Sequence, residues 1–321
     1  MHEMIKNFNK QFLFEPEIIN SEKLTHKSEF VVVGMGGSAL SALLLKTYRP
    51  ELDIIVHSNY GLPEMTEEKL KNKLIILSSY SGNTEEVIDA FNIAKEKELE
   101  MVVIATGGKL LELAKENNTP YIQLPIKVSQ PRWALGFSTK AFLKIIDEKE
   151  LEKISELAGT LDTSLYEEKG KELAKKIKDH VPVIYASENN SSLAYNWKIK
   201  FDENSKIPAF CNTFPELNHN EMTGFDIKDT TKELDKKFFF IFLKDKEDDE
   251  RITKRMEVLE KMYEKENLKV EVLELEQENS WHKIFSILVL ADWVSYYTAL
   301  GYGIDPEQIP MVEDFKKLIL K

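Results

Sequence analysis

The stretch "KLIILSSYSGNTEEVIDAFNIAKEKE", Lys73–Glu98, decides how this chain of 321 residues folds. Leu74 to Leu77 form a continuous apolar run, and the residues after Glu85 place apolar side chains at helical spacing. Between them lies "LSSYSGNTEE", Leu77–Glu86. The segment is therefore a strand, a turn and a helix. A turn that enters a helix presents unpaired backbone N–H groups and the positive end of the helix dipole. Here three of its hydroxyls, Ser79, Ser81 and Thr84, can also face one point, and Gly82 allows close approach of the backbone to a ligand. Those groups suit a phosphate monoester. The plainer reading is a helix capped by Thr84 or Asn83 after a buried strand, although three hydroxyls exceed what one cap needs.

The same alternation extends in both directions. Residues 2–14 read as a short amphipathic helix with Ile5, Phe8, Phe12 and Leu13 on its apolar side. "EFVVVG", "LDIIVHS", "LEMVVIATGG" and "YIQLP" read as further strands, with helices after the first and the third of these. Strand–helix alternation of this kind implies an α/β doubly wound parallel sheet. Such sheets bind ligands at the carboxyl ends of their strands. The turn "GMGGSA" after the first strand carries Gly34, Gly36 and Gly37, but the third glycine is misplaced for a dinucleotide fingerprint. The strand that would supply a ribose-binding acid ends in His57 instead. A second anion-side turn, with Gly37 and Ser38 offering an N–H and a hydroxyl, fits better than a nicotinamide cofactor.

Arg132, in "VSQPRWALGFSTK", is the sole Arg or Lys between Lys127 and Lys140. On a loop stiffened by Pro131 it suits a developing oxyanion, whereas the plain alternative is a surface arginine. From Asp147 to Asp179 the chain is rich in Lys and Glu and reads as two helices joined near Gly159, a solvated connector. The expected domains are therefore 1–150 and 151–321. "VPVIYAS", "IPAFCNT", "KKFFFIFLKD" and "LKVEVLELE" give the second half its strands. "SWHKIFSILVLADWVSYYTALGYG" reads as a long buried helix, and "MVEDFKKLILK" as a closing one.

Two groups in this half have the chemistry for moving a proton between adjacent carbons. Glu203, in "FDENSK", is a carboxylate at a helix end, and His219, in "FPELNHNE", is an imidazole at a helix start. A carboxylate can carry the proton and an imidazole can shuttle protons between oxygens. Each also has a bland reading, as a helix-end carboxylate and a satisfied polar residue. Glu216, His219 and Glu221 suggest a metal site, but no second motif matches them and the six histidines are scattered, so no metal is expected.

Composition narrows the class. A net charge of −12 argues against nucleic acid or an anionic membrane as partner. The single Cys211 excludes an internal disulfide and suits a reducing, cytoplasmic setting. No apolar run approaches the length expected of a membrane span.

"SYSGNTEE" resembles the phosphate-binding signature of sugar isomerase (SIS) domains. With "GMGGSA", "QPRWALGF", "DENSK", "ELNHNE" and "DWVSYYTALGYGIDP…FKK" in this order, the chain resembles the bifunctional phosphoglucose/phosphomannose isomerases, a two-SIS-domain branch of the phosphoglucose isomerase superfamily. The resemblance implies two doubly wound domains, each a mostly parallel sheet flanked by helices. It implies reversible isomerisation of glucose 6-phosphate and mannose 6-phosphate to fructose 6-phosphate through a cis-enediol, without a cofactor. It assigns the phosphate to Ser38, Ser79, Ser81 and Thr84, with Gly37 lining the pocket. Glu203 becomes the base, Arg132 the neighbour of the enediolate and His219 the ring-opening group, reaching the site from the other subunit of a homodimer. A lysine of the closing helix, Lys316 or Lys317 with Lys316 preferred, is implied beside the ring oxygen. Two alternatives share the scaffold: a non-catalytic sugar-phosphate sensor and an amino-sugar-phosphate isomerase.

Overall fold

A computed structural model describes residues 1–276 and 280–319. Leu320 and Lys321, which end the expected closing helix, lie outside the described residues. The chain forms two units, one of residues 7–161 and one of residues 1–6 with 162–321.

In the unit of residues 7–161, five strands make one sheet: β1 (Glu29–Val33), β2 (Asp53–His57), β3 (Leu74–Ser78), β4 (Met101–Ala105) and β5 (Tyr121–Gln123). Their order is β2-β1-β3-β4-β5, and every pairing is parallel. Val31, Val33, Ile75, Leu77 and Val103 pack against Val87 and Phe91 of helix Glu85–Glu96 and Leu110 of helix Gly108–Glu116. The alternate residues Phe30, Val32, Ile76, Val102 and Ile104 are equally buried. A sheet covered on both faces needs apolar residues at every position, which is why these strands read as continuous runs rather than alternating ones.

The reversal of strand order falls between β1 and β3. β1 is followed by helix Gly37–Tyr48 and β3 by helix Glu85–Glu96. The two glycine and hydroxyl turns therefore sit side by side at the switch point, where open α/β sheets hold ligands.

In the other unit, β6 (Val181–Ser187), β7 (Phe210–Phe214), β8 (Phe238–Asp245) and β9 (Lys269–Leu275) form a parallel sheet of order β7-β6-β8-β9. One face is aromatic: Tyr185, Phe214, Phe240 and Phe242 pack with Tyr263 of helix Glu250–Lys265. The helix Ser280–Gly301 packs along helices Glu167–Ile177 and Ser191–Lys200. A Cβ on Gly170 would lie 2.4 Å from the Cβ of Trp293, so the closest crossing tolerates only glycine. This helix has 22 residues and is long and apolar enough to span a bilayer, contrary to the sequence expectation, but 78% of its most apolar window is buried inside the protein.

Three further expectations are corrected. The N-terminal helix covers only His2–Lys6, and Phe8–Leu13 is a 3-10 turn belonging to the other unit. The Nε1 of Trp293 donates to the Thr163 carbonyl, and the Thr163 hydroxyl donates to the Lys6 carbonyl, which ties the first six residues to the core of residues 162–321. Ile5, Phe8 and Phe12 are buried as expected, but Leu13 is 67% exposed. The segment 148–160 is not a solvated connector, because Ile154 and Leu157 are fully buried and Glu150 accepts from Tyr48.

Candidate active site

At the switch point of residues 7–161, the hydroxyls make specific choices. The Thr84 side chain does not cap the helix Glu85–Glu96 that it opens. It pairs instead with Ser79, Oγ to Oγ1, at 2.8 Å. The Ser79 hydroxyl also accepts from the Gly82 N–H at 3.1 Å. The N-terminus of the helix is thus left without a side-chain cap, which is the condition for anion binding there.

The neighbouring turn is stitched to this one. Ser38 Oγ accepts from the Tyr80 N–H at 3.0 Å, and Ser78 Oγ donates to the Ser38 carbonyl at 3.1 Å. Helix Glu85–Glu96 carries Glu85 and Glu86 in its first turn, whereas no acid stands in the first turn of helix Gly37–Tyr48, so the dipole of the latter favours an anion. A Cβ at Gly37 would lie 2.8 Å from the Arg132 backbone nitrogen. That close approach brings the arginine loop against the glycine turn. Arg132 is not a surface arginine: it is 1% exposed and its guanidinium lies 4.4 Å from the centre of the Trp133 ring. The structure thus gathers Gly37, Ser38, Ser79, Thr84 and the Arg132 loop. Ser81 differs, since it is exposed and its hydroxyl accepts from the Asn83 N–H at 3.3 Å.

Sequence reasoning passes over one support of this site, the pair Gly107–Gly108 at the end of β4. A Cβ at Gly82, where φ is +71°, would come within 1.8 Å of the Gly107 carbonyl oxygen. Asn83 Oδ1 accepts from the Lys109 N–H at 3.0 Å. The hydroxyl turn is held against a second glycine turn, and two glycines at a strand end were the available signal.

Glu203 belongs to the other unit. Helix Ser191–Lys200 runs into a π-helical turn, Phe201–Ser205, which ends at Lys206 in the left-handed conformation with φ 53°. Glu203 is half-buried in that turn. π-Turns inside helices concentrate at functional sites, because one extra residue re-aims a side chain. Lys198 pairs with Asp202 at 2.7 Å, which engages the neighbouring acid.

His219 ends the 3-10 turn Glu216–His219 rather than starting a helix, and it is exposed. The Glu216–His219–Glu221 set is drawn apart. Glu221 accepts from Tyr185 OH at 2.6 Å and from the Asn212 amide, while Glu216 accepts from Asn220 at 2.8 Å. Among the described residues no three His, Cys, Asp or Glu side chains are gathered as a metal site. Lys316 and Lys317 are both exposed on helix Pro310–Ile319, and Lys317 pairs with Asp314 at 3.1 Å.

The fold, two parallel sheets flanked by helices, is that of the sugar isomerase (SIS) domains. The family described as bacterial phospho-glucose isomerase C-terminal SIS domain matches residues 166–319. The tagatose-6-phosphate ketose/aldose isomerase of Escherichia coli has the same fold, with a TM-score of 0.68 at 13% identity over 95% of this chain and 93% of that one. The bifunctional phosphoglucose/phosphomannose isomerase of Aquifex aeolicus is 31% identical over 100% of this chain and 98% of its own length. A D-glucosamine-6-phosphate 4-epimerase of Sulfolobus acidocaldarius is 29% identical over 64% of this chain and 65% of its own. The chain belongs to the family of bifunctional phosphoglucose/phosphomannose isomerases and is an enzyme of the isomerase class.

Proposed function

We propose that this enzyme interconverts glucose 6-phosphate, mannose 6-phosphate and fructose 6-phosphate through a cis-enediol. The observation that carries the reading is the Thr84–Ser79 pair: a threonine that forgoes capping its own helix leaves the N-terminus to an anion. Ser38, Ser79, Ser81 and Thr84 hold the ester phosphate, with Gly37 giving the backbone room. Exposure of Ser81 suits a group whose partner is a ligand.

Glu203 takes the proton from C2 of the open aldose and delivers it to C1, so that C1 gains the hydrogen C2 loses, while a second proton passes from O2 to O1. Arg132 stabilises the oxygen on which negative charge develops. Its burial beside Trp133 makes that charge more effective than it would be in water. His219, supplied by the partner of a homodimer, opens the ring, and Lys316 contacts the ring oxygen. Exposure of His219 in its own chain supports that arrangement. The lone cysteine, Cys211, supports a cytoplasmic setting.

Purified protein supplied with fructose 6-phosphate alone is expected to yield both aldose phosphates, with full activity in EDTA. Failure to form either aldose removes the reading. A second reading has one specific support, the similarity to the glucosamine-6-phosphate epimerase. Turnover of glucosamine 6-phosphate but not of fructose 6-phosphate would favour it.

A further inference from the structure

Glu203 stands in a π-turn, so its direction depends on how that turn is held. Four groups around it hold that turn, and all of them reach the same stretch, residues 292–305. Lys200 pairs with Asp292 at 2.5 Å, with both side chains almost wholly buried. The Asn204 amide donates to Ser295 Oγ at 2.9 Å. The Ser205 hydroxyl donates to the Ser295 carbonyl at 2.8 Å. Lys206 Nζ donates to the Asp305 carbonyl at 2.6 Å. Asn204, Ser205 and Ser295 are all fully buried.

Ser295 is the shared anchor. It accepts from the residue immediately after Glu203 and from the one after that. Its own hydroxyl proton goes to the Asp292 carbonyl at 3.1 Å, which fixes the lone pair that Asn204 uses. Helix Ser280–Gly301 gains nothing from a serine here for its own backbone, since a serine bonding back along a helix slightly weakens it. An apolar residue would pack this core position as well.

We propose that Ser295 is a positioning residue for the reaction, setting the direction of the Glu203 carboxylate through Asn204 and Ser205. The inference rests on Glu203 being the base of the proposed isomerisation. A carboxylate that carries a proton between two carbons must reach both, and misplacement by about 1 Å costs on the order of a hundredfold in rate. Substrate binding draws on other groups, so the effect falls on turnover and not on KM.

The test is a set of variants assayed with fructose 6-phosphate and with glucose 6-phosphate deuterated at C2. Ser295→Ala is expected to lower kcat by about ten- to a hundredfold with KM within about twofold. It should also shift the label from transfer to C1 toward washout into solvent. Ser205→Ala, which removes the second bond from the other side, should move both readouts in the same direction, and Ser295→Thr, which keeps the hydroxyl, should recover kcat. On a Glu203→Gln background, Ser295→Ala should add nothing, because the two act as a unit. Wild-type kcat and label transfer in both alanine variants, beside an inactive Glu203→Gln, would overturn the positioning role and leave the base assignment standing. Glu203→Gln turning over at the wild-type rate would overturn the base assignment and this inference together.

Discussion

Glu203 and Gly82 test the two halves of the chemistry at single positions. Replacing Glu203 by Gln keeps size and hydrogen-bonding reach but removes the base. We expect kcat to fall by roughly a thousandfold, within the range that one acid–base group supplies, while fructose 6-phosphate still binds. Unchanged turnover would remove the proton-transfer role. Gly82 carries no chemistry but sits at φ +71° with the Gly107 carbonyl 1.8 Å from where a Cβ would stand. Gly82→Ala must therefore push two turns apart. We expect a loss of about 1–3 kcal/mol in urea unfolding together with a raised KM for the sugar phosphate and a smaller change in kcat. A variant with wild-type stability and KM would show that the turn has room. The strand-to-helix turn that carries Ser79, Gly82 and Thr84 was legible because glycine and hydroxyl residues at a strand end have a backbone reason to be there. Arg132 was not legible in the same way. Its burial comes from Trp133 and from the close approach of Gly37, and neither contact has a signal in spacing.

Among the elements, β6 and β8 end in a polar knot. Ser187, which ends β6, accepts from Asn190. Asn190 in turn donates to Asp245 at 3.2 Å and to Asp248 at 3.5 Å, and Lys283 pairs with Asp245 at 2.7 Å. Asp248 is 8% exposed, and among the described residues its buried Oδ2 meets no hydrogen-bond partner. Burial raises its carboxyl above the ordinary range, with Asp245 adding to the rise and Ser187, Asn190 and Lys283 opposing it. The folded state therefore holds this proton more tightly than the unfolded chain does. The stability it contributes is present below the unfolded value and is lost as pH climbs through the folded one. Asp248→Asn has no proton to lose. Urea unfolding should give similar stabilities for the two proteins near about pH 4, with the variant pulling ahead as pH rises to neutrality. Curves that stay parallel would sink the idea. Strands were the most legible elements: each expected run of the second half contains its observed strand or overlaps it closely, from Val181–Ser187 to Lys269–Leu275. Helix interruptions were not legible. Nothing in "YNWKIKFDENSK" marks where the α-helix gives way to the π-turn, because Asn204 and Ser205 are held by Ser295, some ninety residues later in the chain. Tertiary bonds of that kind leave no local pattern.

For the whole molecule, the decisive question is whether one chain suffices. His219 is exposed where its own chain leaves it, and helix Pro310–Ile319 turns Met311, Phe315 and Leu318 outward at 85%, 61% and 66% exposure. Apolar side chains spaced along one helix in this way form the kind of surface that a second copy covers. If the proposed homodimer shares its sites, each site combines Glu203 of one protomer with His219 of its partner. Glu203→Gln and His219→Ala homodimers should then both be nearly inactive, since every site lacks one group. A mixture unfolded and refolded together behaves differently. Half of its dimers carry one variant of each kind, and in each of these one site collects both defects while the other is intact. By that symmetry the mixture should recover about one quarter of wild-type activity, read as kcat per chain. A site complete within one chain predicts no recovery at all, whatever the mixing ratio. Recovery that follows the product of the two variant fractions therefore counts the subunits in the site, independently of which sugar phosphate is used.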